Sequence, residues 1–203
     1  MNETNLLAGV EVPEVNKSVT DMYIAQVMLQ RRLNQLPTNV ADFKHVAYKS
    51  IYWGHCIHAE IEELAEWLVS QQDPTWIKEM QMEAIDIFHF VFNIGIEAGF
   101  TDTAITDIST EYAHECWEID TQRIQGALTI LRSCVIKYIN LLPWKTWKTY
   151  TADPDATLQC NAYADVLNAT LLLCNTCGLD EKAIVNMYFA KNQVNHERQD
   201  NGY

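Results

Sequence analysis

Basic residues are scarce in this chain: Lys and Arg number 14 against 27 Asp and Glu, for a formal net charge of −13 at pH 7. A general nucleic-acid binder needs a basic face, so that class is excluded. An acidic protein can still hold a nucleotide if a few cations line its site. Glycine and proline are also few, at seven and five of 203 residues. With 48% hydrophobic residues, this fits one globular domain with an ample core. No apolar run reaches the roughly 18 residues expected of a membrane span, and no signal-peptide pattern is seen. The expectation is therefore a cytoplasmic protein, with no membrane partner and reduced thiols. Six cysteines occur. Cys174 and Cys177 form a CxxC without a second CxxC or an HxxxH. Their setting, LLLCNTCGL, favours core packing over zinc.

What is present is acid in a particular pattern. Glu60 and Glu63 stand in AEIEELAEWL, and Glu83 and Asp86 in MEAIDIFHF. The i, i+3 spacing of each pair puts both carboxylates on one helix face. Apolar neighbours (Ile61, Leu64, Trp67 and Leu68; Ile85, Ile87, Phe88 and Phe90) predict helices packed into a core. SQQDP at 70–74 signals a turn between them. Two antiparallel helices then bring four carboxylates together. Their mutual repulsion would raise their pKa values, and a divalent cation would relieve it. Oxygen ligands without Cys or His suit Mg²⁺ or Mn²⁺. The competing reading is solvated surface charge, since ExxE and ExxD are each common.

Residues 1–17 lack clear periodicity and read as a loose arm; residues 18–203 read as one domain. A helix is predicted over 20–36, with Ser18 or Thr20 as N-cap. Gln30 and Asn34 share one of its faces, and their amides suit the edge of a base, unless they are merely exposed polar residues. Further helices are expected over 41–70, with a break near Gly54, and over 74–99, ended by Gly99. Another starts within 101–110. Apolar positions continue from 119 to 142, and helices follow over 158–177 and from about 179 onward. A weak internal repeat has a period near 79: residues 84–100 line up with 163–179. Asp86 falls on Asp165 and Gly99 on Gly178. The second copy loses the acids, with Tyr138 in place of Glu60 and Ala162 in place of Glu83. One ionic and one apolar helix pair would make a pseudo-symmetric bundle with one active site; the competing reading is chance similarity between two amphipathic helices.

At the C-terminus, Lys191, Asn195 and Arg198 fall at i, i+4 and i+7, one stripe of a helix. Lys supplies a point charge and Arg a bidentate fork, both suited to phosphate oxygens. A solvated terminal helix is the alternative.

Three motifs together carry a resemblance. They are W-x-x-C-x-x-x-E-x-x-E-L at 53–64, E-x-x-D-I-x-H-F at 83–90, and K-N-x-x-N-x-x-R-Q-x-N-G-Y at 191–203. With LQxxLN at 29–34, they resemble the dimeric all-α dUTPase family of the all-α nucleoside triphosphate pyrophosphohydrolases. The branch they look most like is that of the dCTP/dUTP pyrophosphatases of T-even-like bacteriophages. The resemblance implies Mg²⁺ held by Glu60, Glu63, Glu83 and Asp86. It implies phosphates held by Lys191, Asn195, Arg198 and Tyr203, and a nucleoside pocket that includes Gln30, Asn34 and Trp53. The reaction implied is water attack on dUTP or dCTP, giving the monophosphate and pyrophosphate. Glu63 would orient or deprotonate the water, Lys191 and Arg198 would stabilise developing charge, and the assembly would be a homodimer.

The sequence departs from the family in one notable place. WKxWK usually lies between the acidic pairs. Here only Trp76 and Lys78 remain there, and WKTWK stands at 144–148. Two rival readings are a MazG-like pyrophosphohydrolase with another base preference and a non-enzymatic helical phage protein.

Overall fold

The computed structural model describes residues 17–34, 44–101, 105, 117–145, 147–150 and 155–201, without the side chains of 32–34 and 44–48. The arm expected over 1–17, the helix start expected within 101–110 and Tyr203 lie outside the described residues, apart from Lys17, Thr101 and Ile105. The described residues form an all-α bundle. Its helices are α1 (Val19–Asn34), α2 (Lys44–Val69), α3 (Trp76–Glu97), α4 (Thr121–Leu141), α5 (Ala156–Thr176) and α6 (Glu181–Asp200).

Local chemistry sets the helix ends. Ser18 opens α1 by a reciprocal cap: its backbone N–H donates to Asp21 Oδ2 at 2.7 Å, and Asp21 N–H donates back to Ser18 Oγ. Asp120, Asp155 and Asp180 cap α4, α5 and α6 by accepting from backbone N–H groups of the first turn. The two repeat helices end alike. Gly99 (φ +76°) and Gly178 (φ +78°) both adopt the left-handed conformation after α3 and α5. Phe100 N–H then bonds Gly95 O, and Leu179 N–H bonds Cys174 O, the same closing bond in each copy. The aligned glycines thus reflect one supersecondary unit used twice.

Packing follows the apolar stripes. α2 lies along α3 and α4 along α5, while α3 also touches α1, α5 and α6. Ile57, Ile61 and Leu64 of α2, Ile85, Phe88 and Phe92 of α3, Leu131 and Val135 of α4 and Val166 of α5 are buried in one continuous core. Each contributes on the order of 1.5–3 kcal/mol by burial. Cys174 and Cys177 are fully buried members of that core.

Gly54 does not break α2, contrary to the sequence expectation; the helix runs through it. A Cβ at Gly54 would stand 2.5 Å from Ile139 Cδ1 of α4. The glycine serves close helix approach rather than a helix break.

Candidate active site

The register of the helices sets the site. Glu60 on α2 and Glu83 on α3 meet, and Trp53, two turns before Glu60, stacks on Phe90, two turns after Glu83, with ring centroids 5.8 Å apart. The two helices are therefore antiparallel. Residues seven apart are about 10 Å apart along a helix axis, so the acids and the aromatic pair mark two ends of one cleft. α6 crosses in the opposite direction to α3: Lys191 meets Asp86, and one turn earlier Tyr188 stacks on His89 at 4.2 Å.

Together these elements enclose a cavity of about 500 Å³. Gln30, Trp53, Glu60, Glu63, Glu83, Asp86, Lys191, Asn195 and Arg198 all line it. Every site residue anticipated from the sequence is thus brought to one place, apart from Asn34, whose side chain is not described, and Tyr203. Lys78, Lys145 and Lys148 are not in the lining, and the WKTWK stretch carries an exposed Trp147 away from the cavity.

The acidic end is three carboxylates deep. One oxygen each from Glu60, Glu83 and Asp86 lie within 4.8 Å of one another. Glu63, expected as the fourth of this group, stands apart: it is exposed at the rim and outside that 4.8 Å group. Its position one turn beyond Glu60 turns it toward the mouth. Burial first, then repulsion from Asp86, Glu83 and Glu63, pushes Glu60 up to about 8. Burial and repulsion from Asp86 push Glu83 up to about 7, with Lys191 opposing. With values this high, the pair keeps a proton near neutral pH. Groups that share a proton because they repel will release it to a divalent cation. The all-oxygen donor set fits a hard ion such as Mg²⁺ or Mn²⁺.

The cationic wall is α6. Lys191 Nζ donates to Asp86 Oδ2 at 2.7 Å, and the Lys191 side chain is only 7% exposed. A solvated terminal helix is therefore not what this segment forms. Asn195 and Arg198 continue the stripe along the lining.

Four lining residues that sequence reasoning passed over form the floor: Gln26, His89, Phe90 and Asn93. Gln26 Nε2 donates to Asn93 Oδ1 at 2.7 Å, and Gln26 Oε1 accepts from Tyr188 OH at 2.8 Å. His89 Nδ1 lies 2.9 Å from the same Gln26 Oε1. Burial, then the nearby Lys191, depresses His89 to about 3, so its ring is neutral. His89 and Asn93 follow Asp86 at i+3 and i+7, a signal available by extending the acidic face along the helix.

A family model described as dUTPase matches residues 18–203, and the chain belongs to that all-α dUTPase family. No curated protein and no solved structure matches it. At the level of the family, the activity is dUTP hydrolysis by a nucleoside triphosphate pyrophosphohydrolase. No helix among the described residues is long and apolar enough to cross a membrane.

Proposed function

We propose that this dUTPase-family chain hydrolyses dUTP, and dCTP as a second substrate, to the nucleoside monophosphate and pyrophosphate in a Mg²⁺-dependent reaction. The observation that carries the proposal is the joining of three functions in one 500 Å³ cavity: a carboxylate cluster, a cationic helix face and a stacked aromatic pair. Glu60, Glu83 and Asp86 would hold Mg²⁺, with Glu63 completing the set from the rim. When bound, the ion neutralises phosphate charge and makes water more acidic.

The chain's own groups do the rest. Lys191, Asn195 and Arg198 bind phosphate oxygens and stabilise charge as the α–β bridge breaks. Glu63, exposed at the mouth, accepts the proton of the attacking water, whose oxygen bonds to phosphorus while pyrophosphate leaves. Trp53 and Phe90 flank the nucleoside, and Gln30 and Asn34 supply amides for the base. Both pyrimidines can be met by such amides, since each carries a donor and an acceptor. Tyr203 joins Lys191, Asn195 and Arg198 at the phosphates. Residues 18–203 act as one domain, preceded by an arm over 1–17. The exposed Met28 and Tyr52 offer apolar surface for a homodimer. The setting is the cytoplasm, that of a bacterial host for a phage protein.

The test is pyrophosphate release from each of the four dNTPs and dUTP, with Mg²⁺ and with EDTA. The proposal expects release from dUTP and dCTP, dependent on Mg²⁺. Hydrolysis confined to purine nucleotides, or no release at all, would overturn it.

A further inference from the structure

The Gln26 amide is placed so that both its ends serve a neighbour. Its Nε2 donates to Asn93 Oδ1, so its Oε1 faces both Tyr188 OH and His89 Nδ1. An oxygen can only accept, and so His89 Nδ1 carries the proton. The other ring nitrogen, Nε2, is then a bare acceptor. It is buried and has no partner among the described residues, while His89 itself lines the cavity at 4% exposure. A buried polar atom without a partner is costly, so one held so firmly by its other side calls for a ligand donor.

Position decides which donor. Along α3 the lining residues succeed one another as Glu83 and Asp86, then His89, then Asn93. With a rise of about 1.5 Å per residue, His89 stands about 4.5 Å beyond Asp86, and Asn93 about 6 Å further still. Phosphates at the acids and a base at the Trp53–Phe90 pair leave the sugar between them, on the stretch of α3 where His89 stands. A triphosphate has no donor to offer there. A 2′-deoxynucleotide esterified at its 5′ oxygen has one hydroxyl on its sugar.

We propose that His89 Nε2 accepts a hydrogen bond from the 3′-hydroxyl of the deoxyribose, and that Gln26 is the positioning residue that presents this nitrogen. The inference rests on the dUTP-hydrolysing reading above. It makes the site selective for a free 3′-hydroxyl. It also links the sugar contact to α6, because the Tyr188 hydroxyl and the His89 ring share the Gln26 oxygen.

The experiment compares kcat/KM for dUTP and 2′,3′-dideoxyUTP in the full-length protein with Mg²⁺. The wild type should prefer dUTP by about 10- to 100-fold, the effect of one buried acceptor left unpaired. His89→Phe keeps a flat ring against Tyr188 and should bring the ratio to within about threefold, because no acceptor remains. Gln26→Leu should lower the ratio in the same direction by freeing the ring. If His89→Phe does not fold, ¹⁵N-histidine spectra of the wild type serve instead. The signal of an unprotonated Nε2 should move on adding an α,β-imido analogue of dUTP and stay put with its 3′-deoxy counterpart. A wild-type ratio near one, a ratio unchanged in His89→Phe, or a protonated Nε2 would overturn the proposal while dUTP hydrolysis stood. Absence of dUTP hydrolysis would overturn the reading beneath it.

Discussion

Lys191 Nζ lies 2.7 Å from Asp86 Oδ2, and the two side chains are 7% and 16% exposed. Among the described residues this lysine is an ion-pair partner of the three-acid cluster, through Asp86. On the proposed reading it would have two tasks, offsetting the acids when no cation is bound and facing phosphate oxygens when the nucleotide is.

Lys191→Met should expose the first task. Losing one partner of a mostly buried ion pair costs about 3 kcal/mol, because the remaining charge is left uncompensated. Denaturant melts in EDTA at pH 8 should show that loss. Saturating Mg²⁺ should recover much of it by supplying a replacement cation. Equal stability of variant and wild type in EDTA would mean that the pair contributes nothing.

The pH dependence has a defined sign. Glu60 and Glu83 are raised from the ordinary 4.5 to about 8 and about 7. Their folded forms hold protons that the unfolded chain has already released. Their contribution to stability is complete below about pH 4.5 and is lost as pH rises through 7 and 8. Metal-free protein should thus lose stability from this source over that window, while Mg²⁺ affinity rises as the protons leave. Calorimetric Mg²⁺ titrations at pH 6 and pH 8.5 check the second half; equal affinities would contradict it.

Asp86→Asn and Glu63→Gln should each abolish hydrolysis while the helical fold survives, since shape is kept and charge removed. Circular dichroism and pyrophosphate release separate the two effects. Asp165, aligned with Asp86 in the second copy, is instead paired with Lys137 on the surface. Asp165→Asn should leave turnover within about twofold, since exposed pairs contribute little. A tenfold loss without unfolding would give the second copy a role in the site.

Arg198→Ala should lower kcat/KM for dUTP by about 10- to 100-fold, the effect of one lost charged hydrogen bond. Mg²⁺ binding measured without nucleotide should persist, because Arg198 lies two turns along α6 from the Lys191–Asp86 pair. Unchanged kinetics would remove Arg198 from the phosphate site.

Periodicity showed most of the architecture. The acidic pairs, the cationic stripe and the Gly-ended repeat all depend on short-range spacing, which a helix converts directly into a shared face. What spacing could not show was which partner each face meets. The Gln26–His89–Asn93 network joins positions 63 and 67 residues apart, and only tertiary register brings them together. The same limit applies to Glu63. On α2 it shares a face with Glu60, yet the crossing of α3 leaves its carboxylate at the rim rather than inside the cluster. Gly54 misled for a related reason. Glycine weakens a helix taken alone, and only the neighbouring α4 explains why one stands there.

That glycine has a reach beyond its own helix. Trp53 precedes it in the chain, so the wall of the cleft that carries Trp53 is held at a height set by how closely Ile139 approaches. The half of the bundle without the acids is a buttress. None of its described residues lines the cavity, yet its contact with Gly54 bears on the width of the slot. Gly54→Ala would act as a wedge driven between wall and buttress, altering affinity for the nucleotide while every acid and every cation stayed in the chain.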